Sequence, residues 1–305
     1  MPNGSWYHRV EAALARTAFR VVPRLSRRAV LRLSRFCGAA ACLFSRHLRH
    51  VGLVNLDIAY GDTLSADEKH RILRSSFQSF ALMLLDTFWF ARDHGERIKA
   101  LVRFAPEFDQ LFRPAAQICV TGHLGNWEVL GLAFAMRGFP LVSVAAPLEN
   151  PLVDDLFNEL RKTTGQQVVS KHGALRPLLR ALKDNGKIAL LLDQNTKPAD
   201  GGVFVDFFGK QAPVSSAAAM LAKRTDAAIF VGACLAQPDG TYFAPAPVRI
   251  AVNGDETTIT QRIAAGLEEL VRAHPEHWLW TYKRWKYVAP GQRRGEYPFY
   301  AKELV

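Results

Sequence analysis

Cysteine is scarce in this chain, which has only four in 305 residues: Cys37, Cys42, Cys119 and Cys234. No two of them have the spacing of metal ligands. Four cysteines are also too few for a secreted scaffold that is held together by disulfides. Hydrophobic residues make up 49% of the chain and charged residues 22%, which is too apolar for a disordered protein. We therefore expect a globular protein with buried free thiols, typical of a reducing compartment.

Acidic residues are almost missing from the first fifty positions. Residues 1–50 contain ten arginines and a single acid, Glu11, whereas the remaining residues are close to neutral within a total net charge of +11. A segment this basic favours a polyanionic partner, meaning nucleic acid, an anionic membrane surface or an acidic protein.

Long hydrophobic runs are also lacking in this segment. Its longest, Phe36–Phe44, has nine residues, whereas a membrane span needs about 20. Arginines also occupy the place where a cleavable signal peptide has its apolar region. The segment predicts neither a spanning helix nor a signal peptide.

Helical periodicity replaces those runs: a first helical stretch from Trp6 to Val21 is interrupted at Pro23, and a second follows. Apolar residues between Leu25 and Leu43 fall within an arc of about 80°, and five arginines lie on the other side of that helix: Arg24, Arg27, Arg28, Arg32 and Arg35. This pattern predicts a helix lying on a membrane surface; the alternative is a core-packing helix pair with a solvated basic side. With no helix-turn-helix, zinc finger or aromatic platform in the sequence, we expect no nucleic-acid partner.

The rest of the chain predicts a helix over 65–93, started by a Ser65–Glu68 capping box, and then alternating elements. The aromatic stripe at 77–90 in the first helix fits either a core or a lipid-facing wall. Predicted strands cover 117–121, 140–145, 187–192, 228–235 and 242–250; predicted helices cover 127–137, 151–164, 174–185, 215–225 and 257–273. Such alternation predicts an α/β fold with a mixed, largely parallel sheet flanked by helices. We expect a basic helical segment over 1–50 and a catalytic α/β domain over 51–305.

Several common catalytic motifs are absent: the His-Glu-x-x-His zinc helix, the Gly-x-Ser-x-Gly elbow, the Walker loop and Gly-x-Gly-x-x-Gly. The sequence therefore predicts no metal and no nucleotide cofactor. What is present is Thr121-Gly-His-Leu-Gly-Asn-Trp-Glu128, directly after a predicted strand. Sites form at the carboxyl ends of parallel strands. We expect Glu128 to bind one nitrogen of His123, leaving the other as a general base, and Gly125 to let the backbone approach a substrate.

His123-Leu-Gly-Asn-Trp-Glu128 is an instance of the His-x4-Asp/Glu signature of glycerolipid-type acyltransferases. With Gly-Asn-Trp-Glu included, it resembles the lipid A biosynthesis late acyltransferases, the lauroyl/myristoyl transferase family. Further blocks match that family in order: Asn55-Leu56, Asn150-Pro151-Leu152 with Arg161, Asp193-Gln194, Gly201 to Pro213, and Trp278-Leu279-Trp280 with Arg284. Two departures are the arginine-rich N-terminus, where many members carry a transmembrane helix, and Trp285 in place of Phe.

The resemblance implies an O-acyltransferase that moves a fatty acyl chain from a thioester to a hydroxyl of a lipid A precursor or related phosphorylated glycolipid, without a cofactor. It implies His123 as base with Glu128 orienting it, and Arg161 binding a phosphate or the oxyanion. Asp193, Gln194, Asn126 and Gly125 are the further substrate-binding candidates. The 77–90 stripe is a candidate wall for the acyl chain.

The sequence leaves alternatives open for the acyl donor, for the acceptor lipid and for whether the protein is active. An acidic acyl carrier protein is the favoured donor, because it suits the basic surface better than a neutral donor would. The cytoplasmic face of the bacterial inner membrane is the expected location. One alternative is acyl-CoA-dependent acylation of another glycolipid, such as a phosphatidylinositol mannoside. Another is a catalytically inactive lipid-binding protein.

Overall fold

The computed structural model describes residues 6–138, 141–171 and 173–304. In these residues the chain forms ten α-helices: α1 (Trp6–Val21), α2 (Arg27–Phe44), α3 (Arg46–Tyr60), α4 (Ala66–Trp89), α5 (His94–Leu101), α6 (Trp127–Ala135), α7 (Pro151–Thr163), α8 (Leu175–Lys183), α9 (Ala217–Thr225) and α10 (Glu256–Ala273). The same residues form eleven strands: β1 (Val102–Phe104), β2 (Gln117–Thr121), β3 (Leu141–Ala145), β4 (Gln166–Ser170), β5 (Lys187–Leu191), β6 (Gly202–Phe207), β7 (Lys210–Ser215), β8 (Ala228–Val231), β9 (Leu235–Ala236), β10 (Tyr242–Ala244) and β11 (Val248–Ile250).

Six strands form the central sheet in the order β11-β8-β2-β5-β3-β4. Every neighbouring pair is parallel except β11 and β8, which are antiparallel. The predicted mixed, largely parallel α/β sheet is therefore confirmed. β1, β10 and β9 form a small second sheet, and β6 and β7 pair as a hairpin.

The central strands are covered on both faces, as a parallel sheet requires. Ile118 and Val120 of β2 pack in one cluster with Leu178 and Leu182 of α8. Cys119, which points the other way, packs in a different cluster with residues of α6. The alternation of a strand's side chains thus places α6 and α8 on opposite faces of the sheet.

The arginine-rich segment folds into α1 and α2, separated at Pro23 as its sequence predicts. The buried side of α2 consists of Val30, Ser34 and Gly38. A Cβ at Gly38 would lie 2.4 Å from the Gln78 Cα, so glycine lets α2 and α4 pack backbone to backbone. The predicted boundary at residue 50 falls inside α3.

Several large apolar residues of α1 and α2 lie on the surface, although Phe19 and Val30 pack in the core. Trp6 and Leu14 are 78% and 65% exposed, and Phe36 and Phe44 are 72% and 80% exposed. Phe36 and Leu43 of the predicted apolar arc are thus exposed, away from the packed side of α2, whereas Leu25 of the same arc packs with Val22 and Trp89. None of the described helices is long and apolar enough to cross a membrane.

The capping box at the start of α4 is confirmed. The backbone N–H of Ser65 donates to the Glu68 carboxylate at 2.8 Å, and the Glu68 N–H donates to the Ser65 hydroxyl at 3.3 Å. The helix ends at Trp89, four residues before the predicted end. Most of its aromatic stripe is core, with Phe77, Trp89 and Phe90 buried.

Two predicted strands are broken by local chemistry. Residues 242–250 divide into β10 and β11, because Pro245 and Pro247 cannot donate to a sheet ladder. Residues 228–235 divide at Gly232 into β8 and the start of β9, which belongs to the second sheet. The prediction for 140–145 begins outside the described residues, and β3 begins at Leu141. Strand β4 and the β6–β7 hairpin had not been predicted.

Candidate active site

The site lies at the carboxyl ends of β2 and β5, which are adjacent and parallel. Their register pairs Thr121 with Leu191, and the Leu192 N–H donates to the Thr121 carbonyl at 3.0 Å. His123 and Asp193 each follow these paired residues by two positions. Sheet register therefore brings the two side chains to the same place from positions 70 residues apart.

Asp193 binds His123 through both of its carboxylate oxygens. The Nδ1 of His123 lies 2.8 Å from Oδ1 of Asp193, and the His123 backbone N–H donates to Oδ2 at 2.7 Å. The Trp278 indole donates to the same Oδ2 at 2.9 Å. A Cβ at Gly122 would lie 3.0 Å from the Asp193 carboxyl carbon, so glycine makes this close approach possible.

This pair is electrostatically coupled. Burial alone would raise the pKa of Asp193, but the charge and hydrogen bonds of His123, with the Trp278 bond, hold that pKa below its ordinary value. Burial alone would lower the pKa of His123, but Asp193, and to a smaller extent Glu128, raise that pKa above its ordinary value. Asp193 is therefore ionised at neutral pH and accepts the Nδ1 proton of His123.

The other imidazole nitrogen faces the open side of the site. The Gln194 amide nitrogen lies 3.2 Å from Nε2 of His123, which suits an amide donating to an unprotonated nitrogen. The Trp127 ring contacts the imidazole edge-on, with ring centroids 4.7 Å apart. Nε2 is thus the free basic atom, and its orientation is fixed from two directions.

Glu128 does not bind His123, so that prediction is wrong. Instead Glu128 accepts two hydrogen bonds from Arg161, from Nε at 3.0 Å and from Nη2 at 2.6 Å. Arg161 also donates to Asn158 at 3.0 Å. Burial opposes the charge of Arg161, but the hydrogen bonds and charge of Glu128 keep its pKa above the ordinary value. The first turn of α6 directs Glu128 toward α7 rather than back to the turn that carries His123.

Two other candidates have structural roles. Both ends of the buried Asn126 side chain are used inside the protein: its oxygen caps α6 through the Val129 N–H, and its nitrogen donates to the Tyr242 hydroxyl, each at 3.0 Å. Gly125 has φ +66°, and a Cβ there would lie 2.2 Å from the Cys234 carbonyl oxygen. Its glycine therefore serves a close crossing of two backbone segments, not an approach to substrate.

The C-terminal segment Trp278–Arg284 supports the site through hydrogen bonds. Sequence reasoning had not predicted this role. Besides the Trp278 bond to Asp193, the Leu279 N–H donates to the His123 carbonyl at 3.1 Å. The buried Arg284 donates to the Asn195 side chain and the Pro213 carbonyl, both at 3.2 Å. Burial lowers the pKa of Arg284 to about 10.

Asn55 holds the same C-terminal segment from α3. Its side-chain nitrogen donates to the carbonyls of Trp280 and Tyr282, both at 2.7 Å. The Trp-Leu-Trp block was the available signal.

A cavity of about 650 Å³ opens at His123. Its polar end carries His123, Glu128, Arg161 and Gln194. Apolar side chains also line it: Phe108, Leu111, Phe134, Leu141 and Phe230 among others. Among the described residues, none of the 77–90 stripe lines this cavity. The stripe as a wall for the acyl chain stays a prediction. Cys119 and Ala189, although in central strands, are only partly buried because they face this space.

The family model of the bacterial lipid A biosynthesis acyltransferases matches residues 9–287. The chain belongs to this family. That match covers β2 and β5, His123, Asp193 and the Trp278–Arg284 block. The protein is therefore an acyltransferase, and the resemblance of its motifs is confirmed.

Individual relatives carry two kinds of name. A phosphatidylinositol mannoside acyltransferase of Mycolicibacterium smegmatis is 28% identical over 236 residues, 75% of this chain and 77% of the relative. One from Mycobacterium tuberculosis is 28% identical over 178 residues, 57% and 56% of the two chains. A lipid A biosynthesis acyltransferase of Haemophilus influenzae is 30% identical over 82 residues, 27% and 26% of the two chains.

Glu128→Gln tests the ion pair with Arg161. The amide keeps the shape but leaves the guanidinium, 15% exposed, without a matching charge. We expect a loss of about 2 kcal/mol in the free energy of unfolding, the scale of a hydrogen bond to a charged group. Chemical denaturation of Glu128→Gln, Arg161→Gln and the double variant measures the coupling. Additive losses in this cycle would contradict the pairing.

Proposed function

We propose that this acyltransferase moves a fatty acyl chain from a thioester donor to a hydroxyl group of a phosphorylated glycolipid, with His123 as the general base. The observation that carries the proposal is the His123–Asp193 pair, in which the Gln194 amide is the neighbour of Nε2 and the imidazole lines a cavity with apolar side chains. A base on the acceptor hydroxyl suffices to start acyl transfer from a thioester.

Each step uses groups already in place. Nε2 takes the proton of the acceptor hydroxyl as its oxygen attacks the thioester carbonyl carbon, and Asp193 stabilises the imidazolium that forms. The tetrahedral intermediate collapses by breaking the carbon–sulfur bond. The leaving thiolate takes the proton from Nε2, so the products are an ester and a thiol. Gln194, whose amide already reaches Nε2, gives way to the acceptor hydroxyl.

Arg161 is the donor proposed for anionic groups. Three of its five N–H bonds point at Glu128 and Asn158, which leaves one on each terminal nitrogen without a partner in the described part of the chain. Its place at the polar end of the cavity, near His123, suits a phosphate of the acceptor or the oxyanion of the intermediate.

The apolar part of the cavity suits the acyl chain. It runs beneath α6, between Phe134 and the central strands, and small residues such as Cys119, Ala189 and Gly131 leave the space open. A chain bound there has its thioester end at the polar mouth beside His123. Burial of hydrocarbon in such a cavity contributes about 0.8 kcal/mol per methylene group.

We also propose that α1 and α2 hold the protein on the cytoplasmic face of the bacterial inner membrane. These two helices expose four large apolar side chains: Trp6, Leu14, Phe36 and Phe44. Single exposed apolar residues are common on protein surfaces, but several on neighbouring helices indicate an interaction surface. Arginines flank these side chains and are themselves exposed: Arg24, Arg28, Arg32 and Arg35. Apolar anchors flanked by cations suit an anionic lipid surface, where each arginine contributes on the order of 1 kcal/mol.

The double variant Phe36→Ser/Phe44→Ser tests this anchor. Because both side chains are exposed, we expect an unchanged melting temperature but at least about tenfold weaker partition onto anionic vesicles, measured by co-sedimentation. Phe243→Ser, also at an exposed phenylalanine but on β10, is the matched control. Equal binding by all three proteins would place the anchor elsewhere.

Substituting exposed residues is a better test of the anchor than deleting residues 1–48, because the deletion would also remove contacts that stabilise the fold. Arg27 forms a two-point ion pair with the fully buried Asp86 and donates to the Gly240 carbonyl at 2.8 Å. Deletion would leave the Asp86 carboxylate without its cation and expose the face of α4 that packs on α2.

Lipid A precursor is the first acceptor proposed, and the relatives' names supply a second, phosphatidylinositol mannoside. The 28% identity of the Mycolicibacterium smegmatis relative over three quarters of this chain favours testing this second acceptor. Both lipids offer sugar hydroxyls beside phosphate, which the site at His123 and Arg161 suits equally. Incubating the enzyme with both lipids together and one acyl thioester decides between them. Mass spectrometry should find one added acyl chain on one lipid; transfer to neither would contradict the proposed function.

A further inference from the structure

One helix beside the cavity, α8, carries cations along its exposed side, and the exposed Asp184 follows directly after it. The exposed side of α8 carries Arg176, Arg180 and Lys183, and Lys171 is exposed just before it. α8 itself contains no acidic residue. None of these four cations has a carboxylate within 4.0 Å in the part of the chain described.

This surface is continuous with the cavity mouth. Lys171, Leu175 and Leu178 all line the cavity that opens at His123. Leu175, in the first turn of α8, is 40% exposed, so an apolar side chain lies beside the cations at the entrance. Arg176 and Lys183 are separated along the helix axis by about 10 Å. A ligand bound here therefore meets several cations in a row before it reaches the catalytic base.

We propose that α8 and Lys171 form the docking surface for an acidic acyl carrier protein, an inference that rests on the proposed function. The row of cations is complementary to an acidic helix, and Leu175 offers the apolar contact that such an interface places among its charges. Docking at the cavity mouth leaves only the pantetheine arm and acyl chain to enter.

The position of α8 favours a carrier protein over the membrane as its partner. α8 packs on the sheet face opposite to α6. Ala18, Phe19 and Val30 of the N-terminal helices pack instead with Val129 and Leu132 of α6. The exposed side of α8 also has one large apolar residue, whereas α1 and α2 expose many. α8 therefore offers mainly charge, whereas α1 and α2 expose the apolar side chains that contact with a membrane surface needs.

Charge reversal in the full-length protein tests the surface. We compare Arg176→Glu/Arg180→Glu with wild type for three donors carrying the same acyl chain: carrier protein, CoA and pantetheine. Acyl-pantetheine has no charged group for α8 to bind, so its kcat/KM reports the chemistry alone. Arg249→Glu, at an exposed cation on edge strand β11, is the matched control.

We expect the ratio of kcat/KM for the carrier thioester to that for acyl-pantetheine to fall about tenfold in the double variant and to stay unchanged in the control. Rising salt should lower the wild-type ratio and have less effect on the variant. A ratio unchanged by charge reversal overturns the inference, as does an equal loss for all three donors. A loss confined to acyl-CoA would assign the cations to a nucleotide phosphate, and a loss of vesicle binding would assign them to the membrane. If wild type uses no thioester at all, the proposed function fails instead.

Discussion

Asp193→Asn is expected to lower kcat by about 10⁴-fold, the effect seen when the carboxylate behind a catalytic histidine becomes an amide. The reason lies in the donors around this carboxyl group. Two N–H groups, from Trp278 and the His123 backbone, converge on Oδ2. The oxygen of the new amide would occupy that side and turn the NH₂ group toward Nδ1. His123 would then carry its proton on Nε2, where it cannot act as a base.

The pH profile shows whether this loss arises at the imidazole. Wild-type kcat/KM should rise with pH through an apparent pKa above the ordinary histidine value of about 6.5, because Asp193 raises the pKa of His123. Activity is lost as pH falls through that pKa, since the protonated ring cannot accept a proton. In Asp193→Asn the acidic limb should shift to lower pH. Kinetics within tenfold of wild type, with an unshifted limb, would contradict the assignment.

His123→Ala is the second large effect, with an expected loss of at least about 10²-fold in turnover. The side chain is 19% exposed at a cavity mouth, and the Asp193 carboxylate keeps its bonds to Trp278 and the residue 123 backbone. We therefore expect the melting temperature to change little. Steady-state turnover beside a thermal melt separates the two effects. Turnover by His123→Ala close to that of wild type would contradict the general-base mechanism.

Sequence reasoning selected His123 but not the carboxylate that binds it. His123 could be predicted because a polar turn after an apolar strand marks the ligand-binding edge of a parallel sheet. Glu128 was chosen as its partner because it is close in sequence. The true partner depends on β5 lying next to β2, and strand order is set by packing over the whole sheet. No local pattern around residue 193 encodes that adjacency, although the strand before it placed Asp193 among the candidates.

The same contrast holds for the fold. The start of α4 was predictable because the Ser65–Glu68 capping box is a local device, and the position of α1 and α2 was predictable from Pro23. Strand β4 was missed because its sequence, Gln-Gln-Val-Val-Ser, is short and half polar. It is a strand because it adds to β3 at the sheet edge. Long-range pairing, rather than propensity, decided that element.

The most direct measurement of the central claim is the mass of the acceptor lipid after incubation with an acyl thioester, for wild type and His123→Ala in parallel. The wild-type protein should increase the mass of the glycolipid by one fatty acyl group, joined as an ester that mild base removes. His123→Ala at equal concentration should give at least about 10²-fold less of that product in the same time. An equal yield from both proteins, or a wild-type product acylated on nitrogen instead of oxygen, would contradict it.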